Sequence, residues 1–96
     1  VEEMYRHIYW QAWRTLDTAA QAVLKMMPLA AGVGVTPEQL TAMTSLPATQ
    51  LWPAIAALVN RSLLEARGTP WERRYGIHQL TDSFLRTEII HWPADA

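Results

Sequence analysis

The chain has 96 residues, half of them apolar, a formal charge of −1 and no cysteine. Its length allows one compact domain with a modest core and excludes two. The near-neutral charge gives no general attraction to nucleic acid or to an anionic membrane, and the lack of cysteine excludes disulfides and thiolate chemistry, in keeping with a cytoplasmic setting.

The first predicted helix lies in "EEMYRHIYWQAWRTL", where Tyr5, Ile8, Tyr9, Ala12, Trp13 and Leu16 recur at spacings of three and four. Glu2 and Glu3 suit its first turn. The chain opens on Val1 rather than methionine and reads as a piece of a longer protein. Residues 1–16 are then either part of the core or the tail of a preceding helical domain, and 17–96 form the domain proper.

Asp17 is placed to cap a second helix, "TAAQAVLKMM", with Ala20, Val23, Leu24 and Met27 as its buried stripe. Pro28 and "AAGVGV" end it, with Gly32 and Gly34 loosening the backbone. Thr36 as cap, Pro37 at the first helical position and Glu38 after it open a third helix, in which Leu40 and Met43 face inward. "SLPATQ" turns into "LWPAIAALVNRSLL", with Leu51, Ile55, Leu58 and Val59 inward. Because an interior proline removes a hydrogen bond and clashes one turn back, regular helix is expected to begin close to Pro53.

Beyond Asn60-Arg61 the pattern turns strand-like. "SLLEAR" and "RRYGIH" are candidate strands joined by "GTPWE", with Tyr75 and Ile77 on one face and Arg74 and Gly76 on the other. "LTDSFLRTEII" is a last helix with Leu80, Phe84 and Leu85 inward, ended by Trp92-Pro93. The fold class predicted is mainly α with a small β-hairpin, in the order of a winged helix-turn-helix domain.

No apolar run approaches the roughly 18 residues a membrane span needs, and no signal-peptide pattern opens the chain. His7, His78 and His91 are too far apart in sequence to suggest a metal site, and "AAGVGV" lacks the Lys-Ser/Thr of a phosphate loop. No serine or threonine motif suggests a nucleophile, so the chain is expected to be non-catalytic. A DNA-binding reading would use the helix after "SLPATQ" and the wing residues Arg67, Trp71, Arg73 and Arg74. That helix has no Lys or Arg before Arg61, and affinity for DNA comes largely from phosphate neutralisation, so nucleic acid is disfavoured as a partner. A protein-interaction module built on Trp52 and Trp71 is a further reading.

His78 falls on the joint between the second strand and the last helix. From its place alone it caps the helix or sits half-buried with its nitrogens satisfied. "LVNRSLLEARGTPWERRYGIHQLTDSFLRTEI", Leu58 to Ile89, resembles the winged-helix domain of signal-transduction ATPases with an NB-ARC core, also called STAND or AP-ATPases. Leu58 to Leu64 match the family's "LV(D/N)RSLL". Tyr75, Ile77-His78-Gln79, Leu80 and Phe84 match its aromatic residue, its hydrophobic-His-Asp triplet and its downstream Phe. Gln79 stands where the family has Asp, and Ile77 where it has Met.

The resemblance implies a regulatory domain that packs on an intramolecular nucleotide-binding domain. His78 would sense the β-phosphate of ADP and hold the inactive state. It also implies ADP or ATP as cofactor of the parent protein only, and oligomerisation of the parent on activation.

Overall fold

The structure is a computed structural model and describes residues 2–29 and 34–90. Among the described residues, five α-helices run in chain order: α1 (Glu2–Thr15), α2 (Thr18–Met26), α3 (Pro37–Thr44), α4 (Ala48–Asn60) and α5 (Gln79–Phe84). An antiparallel hairpin, β1 (Glu65–Thr69) and β2 (Glu72–Gly76), lies between α4 and α5. A 3₁₀ turn (Met27–Leu29) follows α2, and a π-helical turn (Leu85–Ile89) continues α5. The chain is thus mainly helical with one small hairpin, as its periodicity predicts.

The starts of α2 and α3 follow the capping residues read from the sequence. The Asp17 carboxylate accepts from the Ala20 N–H at 2.8 Å. Thr36 and Gln39 form a reciprocal capping box, with Pro37 inside the first turn. Ala20, Val23, Leu24 and Met27 are all buried against Leu51, Ala54, Ile55 and Leu58 of α4, and Leu40 closes the same core from α3.

α4 departs from expectation. It starts at Ala48, with Pro47 as its cap residue, and carries Pro53 in its interior. Pro53 is exposed, so its ring meets solvent while Leu51, Ala54 and Ile55 on the opposite side hold the helix to the core. Val59 is on the exposed side, and Ala54 takes the inward place assigned to it. The helix ends in a Schellman arrangement: Ser62 has φ 60°, its N–H bonds the Val59 carbonyl, and the Leu63 N–H bonds the Leu58 carbonyl. Leu63 and Leu64 therefore belong to the buried cap of α4, not to a strand.

The strands are accordingly shorter and closer to the turn than "SLLEAR" and "RRYGIH" suggest, β1 starting later and β2 ending earlier. Glu65 pairs with Gly76 and Thr69 with Glu72, so Pro70-Trp71 alone form the turn, closed by the Glu72 N–H on Thr69 Oγ1 at 3.0 Å. Val35 adds an isolated antiparallel bridge to the outer edge of β2, exchanging both backbone hydrogen bonds with Tyr75. Gly34 makes that bridge possible: its φ is +95°, and a Cβ there would sit 2.7 Å from the Tyr75 carbonyl oxygen.

α1 is rotated relative to the predicted face. Leu16 is buried and Tyr9, Ala12 and Trp13 are half-buried, but Tyr5 and Ile8 are exposed and Trp10 packs in their place. The physical reason is a short, late partner: the side of α1 toward the body rests on α5 and the π turn, where Phe84 meets both Tyr9 and Trp10. Phe84 on α5 and Leu85 in the π turn are buried as expected, while Leu80 is exposed and Thr81 takes the inward position. Gly32, His91 and the Trp92-Pro93 helix end lie outside the described residues.

Candidate functional site

The joint between β2 and α5 is built by three neighbours with different jobs. Tyr75 is buried and fixes the end of β2 through its backbone bridge to Val35. Ile77 is half-buried against the core, which anchors the joint from inside. His78 follows with extended backbone, φ −69° and ψ 153°, as the N-cap of α5. Its Nδ1 accepts the Leu80 N–H at 3.0 Å, and its carbonyl accepts the Asp82 N–H at 3.0 Å.

That geometry sets the chemistry of the ring. An Nδ1 that accepts a hydrogen bond carries no proton, so the ring hydrogen of the neutral form is on Nε2, on the far side from the cap. His78 is exposed, so Nε2–H is a donor open to a ligand from outside the domain. Capping and outward donation use opposite nitrogens and do not compete. Gln79 is exposed at the first helical position, where its amide adds no charge to the helix start.

The hairpin residues do not form one basic patch. Arg67 and Arg74 are directly opposite each other on one face, and Arg73 is on the other. Glu65 lies 3.6 Å from Arg67 and Glu72 lies 3.8 Å from Arg74, so acidic side chains flank the paired arginines. The Arg67 guanidinium lies across Gly76, where an added Cβ would come within 2.5 Å of it. Trp71 at the turn is 87% exposed. The outward face of α4 offers Thr49, Gln50, Trp52, Pro53 and Ala56, none of them charged.

A second cluster, not assigned from the sequence, joins α1 to α5. Tyr9 stacks on Phe84 with ring centroids 5.2 Å apart, and its hydroxyl shares a 3.1 Å hydrogen bond with Thr81 Oγ1. Trp10 meets Phe84 edge-on and donates from Nε1 to Glu88, which also pairs with Arg6 at 3.1 Å. A cleft of about 300 Å³ opens beside this seam, lined by Tyr5, Arg6, Tyr9, Leu80, Phe84 and Glu88 among others. The available signal was weak: Thr81 on α5 and Glu88 in the π turn are polar residues of a short segment, and only their nearness to α1 in space reveals the pairing.

Among the described residues, no group of three or more His, Asp or Glu side chains is placed to hold a metal ion, and no helix is long and apolar enough to cross a membrane. Compared with known proteins, the chain matches no family model, no curated protein and no solved structure.

Proposed function

We propose that this chain is a regulatory winged-helix domain of a multidomain signalling ATPase of the NB-ARC type, non-catalytic itself, acting by packing on the nucleotide-binding domain of its parent. His78 contacts the β-phosphate of bound ADP and stabilises the inactive arrangement; exchange for ATP removes that contact and shifts the population toward the open state. The observation that carries the reading is the exposed His78 at the β2–α5 joint, its Nδ1 taken by the Leu80 N–H and its Nε2–H free to donate to an anion. The order of helices and hairpin, and the bridge from Val35 to Tyr75 beside the joint, support the winged-helix part of the reading.

The test is the nucleotide released on denaturing the intact parent protein, wild type beside His78→Ala and His78→Asn. Asn retains a side-chain oxygen able to cap α5 but lacks the reach of Nε2, so both variants are expected to lose ADP. Equal ADP in all three proteins overturns the role of His78.

DNA binding is the weaker alternative, because Glu65 and Glu72 flank two of the three hairpin arginines and α4 carries no cation. The isolated chain is expected to show no salt-sensitive binding to duplex DNA, and binding that weakens in an Arg73→Ala/Arg74→Ala variant would favour the DNA reading instead. Exposure of Trp52 and Trp71 favours a protein surface as the contact of α4 and the hairpin tip.

A further inference from the structure

α5 is only six residues long, too short to hold its shape on its own propensity, so what packs on it decides where His78 points. One turn beyond His78, Thr81 is 2% exposed, and its hydroxyl meets the Tyr9 hydroxyl of α1. The next turn carries Phe84, stacked under Tyr9, and the π turn after it carries Glu88, held by Trp10 and Arg6. The π turn itself is closed by the Ile90 N–H on the Leu85 carbonyl.

α1 is tied down differently at its two ends. Near its C-terminus the corner into α2 is pinned: Gln21 Nε2 donates to the Trp13 carbonyl at 2.9 Å, the Leu16 N–H bonds the same carbonyl, and Arg61 bonds Thr15 Oγ1. Further toward its N-terminus, Arg6, Tyr9 and Trp10 make the contacts of the α5 seam, while Met4, Tyr5 and Ile8 stay exposed. The helix therefore has the form of a lever, with a fixed corner at one end and its working contact on the element that follows His78.

The geometry points to α1 as a strut that positions His78, with the Tyr9–Thr81 hydrogen bond as its latch. Seating of α1 keeps α5 wound and the His78 cap formed; displacement of α1 frays α5 and releases His78 from the orientation in which Nε2–H faces outward. This inference rests on the proposed nucleotide-sensing role for its biological meaning, but its physical content is separable from it. Tyr9 and Thr81 are positioning residues, acting through His78.

The test uses the 96-residue chain without nucleotide. Amide hydrogen exchange is followed at Leu80, which bonds His78 Nδ1, and at Asp82, which bonds the His78 carbonyl, with Val23 and Leu58 as core references. Tyr9→Phe keeps the stack on Phe84 and removes only the hydroxyl. It is expected to speed exchange at Leu80 and Asp82 by about fivefold while leaving the references unchanged, the size expected for one net hydrogen bond acting on a local opening.

The ¹⁵N spectrum of the His78 ring is expected to lose the pattern of an Nδ1 acceptor in the same variant. Thr81→Val should behave like Tyr9→Phe, and Thr81→Ser, which keeps the hydroxyl, should exchange like wild type. Unchanged rates at Leu80 and Asp82, or the same acceleration at all four amides, overturn the strut. Should the exchange pattern appear while the His78→Ala parent keeps its ADP, the strut stands and the nucleotide role alone falls.

Discussion

His78 shows how one side chain can serve local structure and still be available for recognition. Removing its ring takes away the acceptor for the Leu80 N–H, and loss of an N-cap typically costs about 1 kcal/mol. His78→Ala should lower the stability of the isolated chain by about that amount in urea titration, and His78→Asn should restore most of it. That pair of variants separates the cap from whatever Nε2 contacts, since only the first is repaired by Asn. Ser62 makes the converse case. It occupies a left-handed position, φ 60°, where glycine is the usual residue, so Ser62→Gly is expected to stabilise the chain by about 0.5–1 kcal/mol by the same titration.

Among the elements, α4 carries a local conflict that tertiary packing overrides. Pro53 cannot donate to the Thr49 carbonyl, yet the helix runs through it because Leu51, Ala54, Ile55 and Leu58 bury an unbroken stripe against α2. Pro53→Ala should supply the missing hydrogen bond and raise stability by about 2 kcal/mol, read as a higher urea midpoint with an unchanged slope. The hairpin is set by pairing as much as by propensity. Opposed Arg67 and Arg74 repel across the strands, and Glu65 and Glu72 beside them offset that repulsion. At solvent-exposed positions such ion pairs contribute little to stability, and their main effect is to leave the hairpin without the concentrated positive charge a DNA backbone would need.

For the molecule as a whole, one core formed chiefly by α2 and α4, closed by Leu40, Leu64, Tyr75 and Leu85, has to hold every other element in place. Domains of this size have net stabilities of roughly 5–15 kcal/mol, so a single large cavity is a large fraction of the total. Leu58 is fully buried, and its carbonyl also receives the turn that ends α4. Leu58→Ala is expected to cost about 3 kcal/mol and lower the melting temperature by roughly 10–20 °C, measurable by circular dichroism. A loss that large would also blur the α1 seam, which is why the strut is tested with Tyr9→Phe rather than with a core variant.

The sequence by itself determined the starts of α2 and α3, the stripe of α2, most of the inward face of α4 and the presence of a hairpin. These depend on contacts between residues close in the chain: Asp17 with Ala20, Thr36 with Gln39, and an apolar repeat that matches the helical period. It also singled out His78 at the joint, because a strand pattern and a helix pattern meet there. Only the tertiary structure decided the rest. That α1 turns Trp10 rather than Tyr5 toward the body, that Thr81 and not Leu80 faces inward, and that Val35 bridges Tyr75 all depend on partners 40 to 78 residues away. Periodicity reports which residues share a face of an element, but the angle at which that face meets its neighbour is set by the shape and polar groups of both, and these come together only when the chain has folded.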